Sequence, residues 1–122
     1  VEVEMMDVGV LFAGVAVADF TGAVDWYARL FGRPADIIVN DNEVMWRFAD
    51  AAWLYVVGDA ERAGRALVAL CVPDLDETVA EIAARGIISE PVVMVGASGR
   101  KASVIDADGN TLSFIEVPAP ES

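Results

Sequence analysis

Apolar and polar positions alternate along this chain with two different periods, and the switch between them marks the elements. The segment "VAVADFTGAVDWYARLFG" begins as a strand-like apolar run and turns helical at Phe20, after which Val24, Tyr27 and Phe31 recur at near-helical spacing. Asp19 stands where a carboxylate caps a helix start, and Gly32 where a helix ends. The same pattern returns in "LCVPDLDETVAEIAARG". There Asp74 and Glu77 form a capping-box-like pair, Leu75, Val79 and Ile82 supply the apolar stripe, and Gly86 closes the helix.

The two segments superpose at an offset of about 55 residues, which pairs Val17 with Val72, Asp19 with Asp74, Phe20 with Leu75, Val24 with Val79 and Tyr27 with Ile82. Three short β-type runs follow each helix: "ADIIVN", "EVMWRFA" and "AWLYVVG", then "PVVMV", "RKASVID" and "TLSFIEV". Turn residues at Asn40 to Asn42, Gly96 to Gly99 and Asp106 to Asn110 separate them. The expected fold class is α+β, two tandem βαβββ modules over about residues 10–58 and 66–117 of one 122-residue domain. The polar stretch "GDAERAGR", residues 58–65, connects them.

Composition narrows the partners. With 56% hydrophobic residues, the chain can bury a core without disulfide or metal staples. Its 20 acidic and 8 basic side chains give a net charge of -12, which argues against nucleic acid. An acidic surface serves solubility and also raises the local concentration of a cationic ligand. Cys71 is the only cysteine, so no internal disulfide forms and a cytoplasmic location is expected. Its setting in "LVALCV" predicts a small buried residue. The apolar run from Val8 to Ala18 is too short to span a bilayer, and acidic Glu2, Glu4 and Asp7 precede it, so no export or membrane segment is expected. Histidine is absent, which removes histidine-based triads, most zinc sites and the usual acid-base group at neutral pH.

The tandem βαβββ pattern, opened by "VADFTGAVDWYARLFG" and closed by "DADGNTLSFIE", resembles the vicinal oxygen chelate superfamily over about residues 10–117. That group includes glyoxalase I, extradiol dioxygenases, fosfomycin-resistance enzymes and bleomycin-binding resistance proteins. The resemblance implies a curved mixed sheet, two half-cups around a small-molecule cavity. It also implies, in the enzymes, a divalent metal held from the first and fourth strands of each module. Carried onto this chain, the first-strand ligand positions fall on Phe12 and Leu67, and the fourth-strand positions on Ser113 and, through the repeat, Tyr55. Phenylalanine and leucine offer no ligand atom, and serine and tyrosine are poor ligands for such metals. The family's metal positions are therefore not retained, and neither metal nor other cofactor is expected.

If the cup is kept, alternation lines it with Phe12, Gly14 and Ala16, with Trp53, Tyr55 and Val57, with Leu67, Ala69 and Cys71, and with Ser113 and Ile115. These side chains either fill the cup or meet a ligand. Trp46 and Trp53 offer flat apolar surface. Arg47 alternates with Trp46 and can pair with an acidic ligand group or with Glu43. Arg100 and Lys101 are expected in a glycine-rich turn, as a solvated loop or an anion contact. Glu116, three positions past Ser113, points to the opposite face and reads as a solvated strand end.

The expected function is metal-independent binding of a small molecule, an aromatic or cationic compound sequestered as by bleomycin-resistance proteins. The expected contacts are Phe12, Trp46, Arg47, Trp53, Tyr55, Leu67, Cys71 and Ser113, with no catalytic residue. A homodimer is implied by the resemblance. The competing readings are a glyoxalase- or dioxygenase-like lyase or isomerase with a non-standard site, and an assembly module whose cup is filled.

Overall fold

Local chemistry sets the course of the chain. In the computed structural model, which describes residues 5–117, the apolar run opens β1 (Leu11–Val17), and Asp19 then turns it into α1 (Phe20–Phe31). The Asp19 carboxylate accepts the Gly22 N–H, and Gly32 ends the helix with φ 77°, a left-handed conformation that glycine adopts without strain. Three strands follow: β2 (Ile37–Asn40), β3 (Glu43–Ala49) and β4 (Ala52–Gly58). The second half repeats the order with β5 (Leu67–Cys71), α2 (Leu75–Ala84), β6 (Val93–Val95), β7 (Gly99–Ile105) and β8 (Thr111–Glu116). Glu2 and Glu4 lie outside the described residues.

Each module carries its own four-stranded mixed sheet, in the order β1-β4-β3-β2 and β5-β8-β7-β6. The first and last strands of each module pair in parallel, and the remaining pairs are antiparallel. The α+β tandem architecture is thus as the sequence implies, with one difference. In place of one sheet curled around one cavity, two sheets turn their helix-bearing faces toward a single shared core and leave their other faces outward. Val15, Val17, Trp46, Leu54 and Val56 enter that core from the first sheet, and Ala102, Val104, Leu112 and Phe114 from the second. Tyr27, Leu30, Leu75 and Ile82 join them from the helices. Apolar burial explains the arrangement, because each module has one helix to cover one sheet face and the two covered faces gain by sharing a core.

Polar bonds lock the modules together at the β7–β8 turn. Fully buried Asn110 donates from Nδ2 to the Ala16 carbonyl at 2.8 Å, and its Oδ1 accepts the Ala66 N–H at 2.9 Å. Its neighbour Asp106 accepts the Tyr27 hydroxyl at 2.7 Å and both N–H groups of Asn110. Burial and this bond to Asp106 push the Tyr27 phenol far above its ordinary pKa, so it stays a donor at any pH the fold survives. At the opposite end, Arg85 donates to the carbonyls of Arg29 and Leu30, tying α2 to the exposed end of α1. No helix among the described residues is long and apolar enough to cross a membrane.

Candidate functional site

The outward faces of the two sheets carry the residues that alternation assigned to the cup. On the first sheet, register sets them in transverse rows across β3, β4 and β1: Arg47, Trp53 and Phe12, then Met45, Tyr55 and Gly14, then Glu43, Val57 and Ala16. Phe12 and Trp53 lie with ring centroids 6.1 Å apart, and the Arg47 guanidinium stands 5.9 Å from the Trp53 ring centre, within cation–π range. Gly14 has a structural reason. A Cβ there would lie 2.4 Å from the Tyr55 ring, so only glycine lets that ring lie flat across β1.

On the second sheet, the matching rows across β7, β8 and β5 are Ile105, Thr111 and Leu67, then Ser103, Ser113 and Ala69, then Lys101, Ile115 and Cys71. The hydroxyls of Ser103 and Ser113 share a hydrogen bond of 2.8 Å, so Ser113 is already engaged across the strand pair. Phe12 is 49% exposed and Leu67 86%, so the cup face is open in a single chain and its own side chains do not fill it.

The four positions equivalent to the metal ligands of the enzymes it resembles are therefore two pairs. Phe12 and Tyr55 share the first sheet, Leu67 and Ser113 the second, and the two outer faces point away from a common core. Each face carries a shallow hollow, one of about 250 Å3 lined by Gly14, Ala16, Tyr55, Val57, Asp59 and Arg62, the other of about 240 Å3 lined by Leu67, Ala69, Lys101, Thr111 and Ser113. Among the described residues, no three cysteine, aspartate or glutamate side chains gather where they could hold a metal ion.

Several expected contacts change place. Trp46 is not on the open face. It is 0% exposed beneath α1, packed on Phe31 and donating from Nε1 to the Arg33 carbonyl, because β3 turns Val44, Trp46 and Phe48 toward the helix. Cys71 is exposed instead of buried, since it alternates outward with Leu67 and Ala69 on the open face of the second sheet. Arg47 pairs with Asp50 in the neighbouring turn and not with Glu43. Arg100 and Lys101 lie in strand β7 and not in a turn, on opposite faces. Arg100 turns inward to Asp76 and Glu116, and Lys101 turns outward.

Glu116 faces the helix side, as its spacing from Ser113 required, yet it does more than end a strand. Its carboxylate accepts the Leu75 N–H at 2.8 Å, satisfying a free donor in the first turn of α2, and binds Arg100 at 3.0 Å. The Leu75 N–H and then Arg100 hold its carboxyl below the ordinary pKa. A further hollow of about 280 Å3 lies beside α1, between Asp19, Gly22, Trp26, Asp106 and Asp108. Its carboxylates are spent on Gly22, Ala18, Tyr27 and Asn110, which marks it as part of the scaffold. Lys101 and Ser103 were missed as outer-face residues because the expected lining was drawn from the first and fourth strands of each module, and they lie on the third. The spacing of two between Lys101, Ser103 and Ile105 was the available signal.

No protein-family model and no curated protein matches the sequence. Solved structures do match. A bleomycin-binding protein complexed with bleomycin is similar at 18% identity and TM-score 0.73, over 88% of this chain and 98% of that one. TnmS3, an antibiotic-binding protein from a Streptomyces species, is similar at 23% identity and TM-score 0.73, over 94% of this chain and 100% of that one. At these identities the likeness is one of fold. A glyoxalase/bleomycin resistance protein from Catenulispora acidiphila is nearer, with TM-score 0.84 and 36% identity over 89% of this chain and 98% of that one. Identity of that size over nearly the whole of both chains, on the same pair of βαβββ modules, places this protein in the glyoxalase/bleomycin resistance protein family of the vicinal oxygen chelate superfamily.

Proposed function

We propose that this protein binds a small aromatic compound without metal, in a groove formed where the outer face of module 1 meets that of module 2 in a second copy of the chain. The observation that carries this is the packing of the two modules around one shared core, which leaves Phe12, Trp53, Tyr55 and Leu67 on open sheet faces. Such apolar surface is costly in water and marks a contact. The hollows hold about 250 and 240 Å3, short of the roughly 300–1,000 Å3 of a small-molecule pocket, so each is half a site. A two-fold dimer that sets module 1 on module 2 covers both faces of both chains at once and makes two equal grooves. Pairing module 1 with itself would leave Leu67 in water.

The side chains on these faces suit binding and not turnover. The positions that hold metal in the family's enzymes are Phe12, Tyr55, Leu67 and Ser113 here, and Ser113 spends its hydroxyl on Ser103. Rings stack on Trp53 and Phe12, and sequestration needs no bond made or broken. Two neighbours in fold, one complexed with bleomycin and one an antibiotic-binding protein, support a ligand of antibiotic size. The test combines light scattering for mass with tryptophan-fluorescence titration against aromatic antibiotics and bleomycin, with and without EDTA. A dimer with saturable quenching that EDTA leaves unchanged is expected. A monomer, or binding that EDTA removes, overturns the proposal.

A further inference from the structure

Charge is distributed unevenly between the inside of the proposed groove and the rest of the surface. The chain carries -12 overall, yet the outer faces of the strands hold only Glu43 and Arg47 on the first sheet and Lys101 on the second. The carboxylates gather elsewhere: on α1 and α2, in the β7–β8 turn, and at the rims, where Asp50 meets Arg47 and Asp59 meets Arg62.

Lys101 is the sole lysine of the sequence, and it stands in the second hollow between Val93 on β6 and Ile115 on β8. Among the described residues, Arg29, Arg33, Arg47, Arg62 and Arg100 each sit against a carboxylate and Arg85 against two carbonyls. Among the described residues, only Arg65 and Lys101 have neither kind of partner against them, and of the two only Lys101 stands on the outer face of a strand. Closing a groove over an unpaired ammonium takes its water away, and the cost is met when a carboxylate faces it, from the occupant or from Glu43 on the facing sheet.

We propose that the occupant of the groove is a flat aromatic compound bearing an acidic group, its rings on Trp53 and Phe12 and its acid against Lys101 of the partner subunit. This rests on the binding function proposed above and reverses the cationic preference that the net charge suggests. The overall field repels an anion at a distance, but salt screens it within about 8–10 Å. Lys101 acts in contact, and the hydroxyls of Thr111 and Tyr55 line the same faces as further donors.

The experiment uses three anthracenes that differ in one substituent: anthracene-9-carboxylate, 9-(aminomethyl)anthracene as a cation, and uncharged 9-anthracenemethanol. Binding to the full-length protein is read by ligand fluorescence anisotropy at pH 7. The carboxylate is expected to bind at least about ten-fold tighter than the amine. Lys101→Met should cost the carboxylate about ten-fold and the alcohol far less, Lys101→Arg should keep the preference, and Lys101→Glu should invert it. If the amine binds as tightly as the carboxylate, or Lys101→Met leaves their ratio unchanged, the acidic-ligand proposal is overturned while the binding function stands. If none of the three binds, the binding function fails and this proposal falls with it.

Discussion

Modules 1 and 2 share a backbone plan but differ at four equivalent places, and the differences divide the labour between them. The residue after the last turn glycine is Asn110 in module 2, bonded into both modules, whereas β4 of module 1 starts with Ala52 after a plain Asp50–Ala51 turn. Helix α1 offers the Tyr27 hydroxyl where α2 offers Ile82. Trp53 faces outward where module 2 has Thr111, and β8 ends on Glu116 where β4 ends on Gly58. Module 2 therefore supplies the bonds that hold the pair together, and module 1 the aromatic surface. Duplication gave two copies of one packing solution, and each was then free to specialise on what the other did not need.

Breaking the largest asymmetry removes the clasp. Asn110→Ala leaves the Ala16 carbonyl and the Ala66 N–H without their buried partner, and should cost about 3–5 kcal/mol in urea denaturation. The outer faces come next. Trp53→Ala should weaken ligand binding by about 2–4 kcal/mol, the scale of an interface hot spot, while Thr111→Ala at the equivalent place costs well under 1 kcal/mol. Titrating both variants with the same ligand checks this, and equal losses would mean that the two faces contribute alike.

Tyr27→Phe deletes one hydroxyl and makes α1 more like α2. Asp106 then loses a buried partner, and stability should fall by about 1–3 kcal/mol with ligand affinity unchanged. The smallest effect belongs to Glu116. Its carboxyl is held below the ordinary value in the fold, so its contribution is complete above the unfolded glutamate pKa of about 4.3 and is lost as pH falls through the folded value. Glu116→Gln should lower the melting temperature slightly at neutral pH, and its difference from the wild type should vanish in acid. Asp36, held down by the Arg47 N–H and then by Arg33, works with the same sign.

Most of this plan was legible in the sequence because helix periodicity, capping residues and turn glycines are local signals. The equivalence of Tyr55 with Ser113 followed from the repeat, and the register that sets Gly14 beside Tyr55 and Ala69 beside Ser113 shows it directly. Trp46 misled because a tryptophan suits either face of a half-buried strand. The alternation of Val44, Trp46 and Phe48 against Glu43, Met45 and Arg47 was the better guide. The sharing of one core by both modules was not legible, since nothing in one module's pattern says which neighbour covers its helix. Cys71 showed the same gap, for an apolar strand with one open face reads like one covered on both.

The outward orientation of both faces also has a genetic consequence. In the proposed dimer, every groove takes its aromatic half from one chain and its lysine half from the other. A chain damaged at Trp53 still lends an intact Lys101 face, and a chain damaged at Lys101 lends an intact Trp53 face. Co-expressed, two inactive alleles of this kind should complement each other, because half of the grooves in a mixed dimer are wild type and the other half carry both lesions.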